Sequence, residues 1–267
     1  MAGTAFTYTS FTPVHNDVEL DHAGKINVAT ANVFGLYGLS NKTNITFSLP
    51  FKHWRQSEVE HEDSHHRNEA QSGPGDISLG LRRIIKNQFF GPGQRFFIDG
   101  AIVLPTGKDY AINPFGPEAD TVEHSHFASG TGQISFSGGM EWWRRSEFPL
   151  VLGITSRFTL PLTESRAGFT PGFVFRTTLH AIKQTPLFPS VFPYVTLELR
   201  REWPDQWEGA TAPNSGAVFL DVTGQLIYER DENSSLVVAV GYPLWQVLEG
   251  SQLSGIHFAL SLRFSSL

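Results

Sequence analysis

The side chains in this 267-residue chain with the clearest capacity for chemistry are histidines set among carboxylates. Seven of the ten histidines (His15, His22, His61, His65, His66, His124 and His126) fall in polar segments, most densely in Glu60-His61-Glu62-Asp63-Ser64-His65-His66. Imidazole and carboxylate together suit Zn²⁺, Cu²⁺ or Ni²⁺ when several donors converge. His61, His65 and His124 are the first candidates, with His66 and His126 beside them. The same composition also reads as a solvated loop whose charge changes near about pH 6. A second constellation is a set of ionisable residues that recur on one side of alternating segments: Asp76, Arg82, Asp99, Glu141, Arg157, Arg176, Glu198, Arg200, Asp221 and Arg263. They form either a conduction path for a small-molecule solute or a mutually paired polar filling. Nucleophilic chemistry has no foothold. The chain has no Cys, no Gly-x-Ser-x-Gly elbow, no His-Glu-x-x-His and no phosphate loop. No enzyme and no resident cofactor are expected.

The elements that position these residues are strands. Ile256, Phe258, Leu260, Leu262 and Phe264 alternate strictly with His257, Ala259, Ser261 and Arg263, which is the period of a strand with one apolar face. Asn44–Lys52, Gln133–Trp142, Thr196–Arg200 and Asp221–Glu229 repeat the pattern. Helical periodicity is sustained nowhere, and 25 Gly with 16 Pro punctuate the chain too often for long helices. The pattern predicts about twelve strands, near 5–15, 24–37, 43–54, 76–85, 94–105, 131–143, 149–161, 168–182, 191–202, 217–229, 235–243 and 254–264. Their connections alternate between short turns and long polar segments, the longest being 55–75 and 106–130. An antiparallel meander of that kind has one trimmed end and one elaborated end. Bacterial outer-membrane barrels have this asymmetry, with short periplasmic turns and longer external loops.

A soluble barrel or sandwich would bury the apolar face, whereas a membrane barrel turns it to lipid and keeps the polar face for the lumen. The polar face mixes both charge signs and favours Arg over Lys, as suits charges paired in confinement. The apolar face is rich in Phe. Aromatics gather near strand ends, with Trp54, Trp203, Trp207, Tyr242 and Trp245 at one level and Tyr37, Trp142, Tyr194 and Tyr228 at the other. Two such belts fit the two membrane interfaces. The expectation is an all-β, single twelve-stranded antiparallel transmembrane barrel over residues 1–267, partnered by the lipid bilayer and lipopolysaccharide of a bacterial outer membrane. The alternatives are an outer-membrane barrel whose His- and acid-rich external loops bind a divalent metal and, after it, a soluble β-sandwich that binds an apolar ligand. The net charge of −6 provides no basic field for nucleic acid. No apolar run approaches the roughly 18 residues of a membrane-spanning helix. Met1-Ala2-Gly3-Thr4 lacks the marks of a secretory signal peptide, which fits either a cytosolic chain or a processed form carrying an initiator Met.

Three motifs sharpen the reading. Gly73-Pro74-Gly75-Asp76-Ile77-Ser78-Leu79-Gly80-Leu81-Arg82, Leu104-Pro105-Thr106-Gly107-Lys108 and Gly130-Thr131-Gly132, preceded by Ser48-Leu49-Pro50-Phe51, resemble in order and spacing the "MetA-pathway of phenol degradation" family. The resemblance covers about 48–140, roughly a third of the chain. It implies an outer-membrane barrel that passes small hydrophobic or aromatic compounds. Read as residues alone, the same motifs shape loops, with Asp76 either facing the lumen or holding backbone donors. The chain departs from barrels that end on an aromatic, because Ser265-Ser266-Leu267 follow Phe264.

Overall fold

The computed structural model describes residues 2–13, 25–57, 68–87, 92–110, 113, 128–147, 149–212, 215–248 and 252–264. Among the described residues sixteen strands appear in chain order: β1 (Ala2–Pro13), β2 (Lys25–Gly38), β3 (Thr43–Ser57), β4 (Glu69–Pro74), β5 (Ile77–Asn87), β6 (Gly93–Leu104), β7 (Ser135–Arg145), β8 (Leu150–Pro161), β9 (Phe169–Thr170), β10 (Val174–Lys183), β11 (Val191–Glu202), β12 (Gln206–Trp207), β13 (Ala210–Thr211), β14 (Ala217–Asp231), β15 (Ser234–Leu248) and β16 (Gln252–Phe264). Every pairing is antiparallel between neighbours, and β1 joins β16, from Ala2 opposite Phe264 to Pro13 opposite Gln252. The sheet is therefore a closed barrel with no free edge around its girth.

The barrel has twelve staves because β4 and β5 are one stave broken at Gly75-Asp76. Both pair with β3, but the register slips by one residue between Ser48↔Ser78 and Phe51↔Pro74. The broken stave corrects the sequence reading, which placed 69–74 in a loop. The expected strand over 168–182 likewise divides. Phe169–Thr170 leaves the barrel to form a three-stranded sheet with β12 and β13, and the stave proper begins at Val174. The stave expected from 131 starts at Ser135.

Burial is inverted relative to a soluble protein. The exposed residues are Phe6, Val33, Phe47, Phe51, Leu81, Leu152, Leu199, Leu226, Val240, Phe258, Leu260 and many like them, one on every second position. The buried set includes Glu141, Gln133, Ser135, Thr178, Thr196 and Ser254. Such a surface is stable only in lipid, where the outward apolar stripe needs no polar partner and the closed sheet satisfies its own backbone. Two expected belt residues turn inward instead. Tyr194 faces His180, and Trp54 lies on the inner side of β3, opposite to Phe51 and His53. A third, Trp207, is buried above the barrel with Tyr110, Phe169 and Ala212. Tyr37, Tyr228, Tyr242 and Trp245 are exposed as a belt requires.

Candidate functional site

The inner wall carries its ionisable residues on consecutive staves. Arg82 on β5, Asp99 on β6, Glu141 on β7 and Arg157 on β8 converge although they are far apart in sequence. Arg157 donates from Nη1 to Asp99 Oδ1 at 2.6 Å and from Nη2 to Glu141 Oε1 at 2.5 Å. Arg82 Nη2 reaches Glu141 Oε2 at 2.6 Å, and Trp143 Nε1 donates to the same oxygen at 3.3 Å. Glu141 is 6% exposed, so its charge is tolerated only because three donors surround it. The Arg157–Asp99 pair spans the intervening stave β7 at Gly139. A Cβ there would lie 2.9 Å from Arg157 Cγ and 3.2 Å from Asp99 Oδ2. Glycine leaves the room through which the two charges meet.

The next staves continue the ladder more loosely. Arg176 on β10 meets Glu198 on β11 at 3.4 Å, and Arg200 meets Glu202 at 3.3 Å. Asp221 on β14 is the register partner of Glu198, and the Arg200 guanidinium lies 4.3 Å over the Phe219 ring. Arg263 sits apart, between Gly3 and Ser235 at the closing seam. Below the ladder, His180 is fixed by Thr155 Oγ1 at 3.0 Å and Tyr194 Oη at 2.5 Å, with its ring 4.8 Å from that of Trp143.

Asp76 belongs to a different structure. Its Oδ1 accepts the Gly107 N–H at 3.0 Å, and its Oδ2 accepts the Thr131 N–H at 2.7 Å and hydroxyl at 2.8 Å. Thr106 Oγ1 accepts the Ile77 N–H and donates to the Gly75 carbonyl, both at 3.0 Å. Lys108 N–H reaches Ser129 Oγ at 3.0 Å, and Gly130 N–H returns to the Lys108 carbonyl at 2.9 Å. The three sequence motifs thus close on one another as a knot that pins both ends of the 105–134 connection to the broken stave. Asp76 uses its carboxylate on loop donors, the second of the two roles its sequence allowed. Gly130 has to be glycine here, because a Cβ would lie 2.4 Å from Asp76 Oδ1.

A second loop nucleus stands at the same end of the barrel. Tyr110, Phe169 and Trp207 pack with ring centroids 4.8–5.6 Å apart. Burial pushes the Tyr110 phenol up to about 12, with Asp205 adding to the effect. Asp205 accepts the Gly172 N–H at 2.7 Å. Trp207 and Tyr194 were expected in the aromatic belts, and neither the loop nucleus nor the His180–Tyr194 pair was foreseen. The only signal for either was an aromatic out of phase with the lipid-facing alternation. His61, His65, His66, His124 and His126 lie outside the described residues. Among the described residues, no three His, Asp or Glu side chains are placed to hold a metal ion.

A closed twelve-stave barrel with a lipid-facing apolar exterior and an ion-paired interior is an outer-membrane β-barrel, and the bacterial outer membrane is its location. Solved structures of that class share the fold. The COG4313 outer membrane channel from Pseudomonas putida F1 matches at TM-score 0.71 with 13% identity, covering 98% of this chain and 94% of that one. The beta domain of the Bordetella autotransporter Brka matches at 0.59 with 10% identity, covering 99% of each chain. The NanC porin matches at 0.54 with 9% identity over the whole of both. No family model matches the chain, the phenol-degradation family included, and no curated protein matches it in sequence.

Proposed function

We propose that this protein is an outer-membrane channel that passes small solutes, hydrophobic or aromatic ones among them, through the barrel lumen. One observation carries the reading: the ionisable residues of seven consecutive staves, β5 to β14, turn inward as a ladder while the exterior is apolar. Charges are costly at membrane depth and are retained there mainly where they line a path or fix one. The fold shared with an outer membrane channel and a porin supports the same reading. Purified protein in planar bilayers should give discrete single-channel currents, and liposomes containing it should swell in small aromatic solutes. Electrically silent bilayers together with solute-tight liposomes would overturn it.

The Glu60–His66 segment supports a second activity, capture of a divalent metal by the external loops. Calorimetry with Zn²⁺ should show tight binding that is lost when His61, His65 and His66 are all changed to Ala. Equal binding by that variant would remove this activity.

A further inference from the structure

We propose that the lumen holds a binding site for small organic anions, carboxylates with an apolar body, at the arginine row Arg157, Arg176 and Arg200. The inference rests on the channel reading and names what the channel binds. Arg157 and Arg176 are direct cross-strand partners, and so are Arg176 and Arg200. Three guanidinium-bearing side chains on adjacent staves therefore share one register row and one face. Directly opposed residues have Cβ atoms about 5 Å apart, and like charges at that separation repel.

The carboxylates that offset this repulsion stand beside the arginines, Glu141 and Glu198 in the neighbouring row and Asp99 in the same row beyond Gly139, and they are more covered than Arg157 and Arg176. The Glu141 and Asp99 side chains are 8% and 12% exposed, and Glu198 is 26% exposed. The Arg157 and Arg176 side chains are 41% and 45% exposed. At Arg157 and Arg176 a solute in the lumen thus meets guanidinium with the neutralising acids behind it, whereas Arg200, 23% exposed, is more covered than Glu198 and flanks the site. The chain's net charge of −6 points to a cation-preferring pore, and this layering reverses that preference locally. A carboxylate lodged between Arg157 and Arg176 would take charge-assisted N–H bonds from both and relieve their repulsion.

The opposite wall fits the rest of such a molecule. Half a turn around the barrel, β1 and β2 turn Gly3, Ala5, Thr7, Val28 and Thr30 inward, alternating with exposed Phe6, Tyr8 and Val33. None of those five is ionisable and most are small, and between Arg263 beside Gly3 and Lys52 beside Thr30 they leave an uncharged strip for an apolar body.

The probe is benzoate, with benzyl alcohol as its uncharged counterpart. Calorimetry on the detergent-folded protein should show benzoate binding at least about tenfold more tightly than the alcohol, the usual gain for a charge-assisted pair. Arg176→Gln should erase most of that difference. This variant is chosen because Arg176 meets one acid at 3.4 Å, whereas removing Arg157 would strand two buried carboxylates. Its fold is checked by the migration of unheated protein in a detergent gel. In bilayers under a KCl gradient, the reversal potential should report anion preference in the wild type and move toward parity in Arg176→Gln. Equal binding of benzoate and alcohol, a benzoate affinity unmoved by Arg176→Gln, or a cation-preferring wild type would each overturn the site. Binding without conductance would overturn the channel and leave the site standing; conductance without anion preference would do the reverse.

Discussion

Asp76 shows how much a single carboxylate can organise. Its two oxygens take three hydrogen bonds from Gly107 and Thr131, residues that belong to the two ends of one long connection. Charge-assisted bonds of this type are worth on the order of 2 kcal/mol each, less what water recovers at a half-buried site. Asp76→Ala should release the 105–134 connection without unfolding the barrel. Limited proteolysis should then cut within that connection several-fold faster than in the wild type, while the staves stay intact. An unchanged cleavage rate would mean that the knot holds through Thr106, Ser129 and Lys108 alone. The motif residues were visible in the sequence, but their convergence was not, because sequence spacing does not say which donors a carboxylate will face once the chain closes.

Each stave is amphipathic in the sense opposite to a soluble strand, and β16 is the clearest case. Ile256, Phe258, Leu260 and Leu262 are exposed to lipid while His257, Ala259 and Ser261 turn inward. Leu260→Arg should therefore cost about 2–4 kcal/mol at bilayer depth, and Ala259→Ser on the lumen side much less than that. Urea unfolding of protein refolded into lipid vesicles measures both, and equal losses would contradict the assigned faces. The small sheet of β9, β12 and β13 obeys different physics, since water surrounds it. Burial raises the Asp205 carboxyl above its usual range and Glu202 adds to the rise, while the hydrogen bond from Gly172 offsets part of it. A carboxyl raised on folding contributes stability that is full below its unfolded pKa and is lost as pH rises through the folded value. Hydrogen exchange over 206–211, corrected for intrinsic rates, should show greater protection at acid pH than at neutral pH. The reverse order would mean that the Gly172 hydrogen bond outweighs burial.

As a whole the molecule is held by its own closure. Every stave has two neighbours along most of its length, β4 being paired with β3, so unfolding requires many backbone bonds to break together. The barrel should therefore survive unheated detergent and migrate differently in a gel before and after boiling. Identical migration would point to a structure without a closed sheet. Local interior pairing adds to this resistance: Glu141 links β7 to β5 and β8, bracing the staves from within as well as through their edges.

The class of fold, the near count of staves and the face that most stave residues take were legible in the amino-acid order, while Trp54 and Tyr194 turned inward against expectation. Those follow from period-two alternation, a local property that survives any arrangement of neighbours. It also located the charged residues of the ladder, though as an undivided set. That Arg157, Arg176 and Arg200 stand in one row, that Glu141 collects Arg82 and Arg157, and that Asp76 serves a loop became visible once the barrel closed. Register is the reason. A slip of two residues keeps every side chain on its face yet exchanges all of its cross-strand partners, so alternation cannot specify which charges meet.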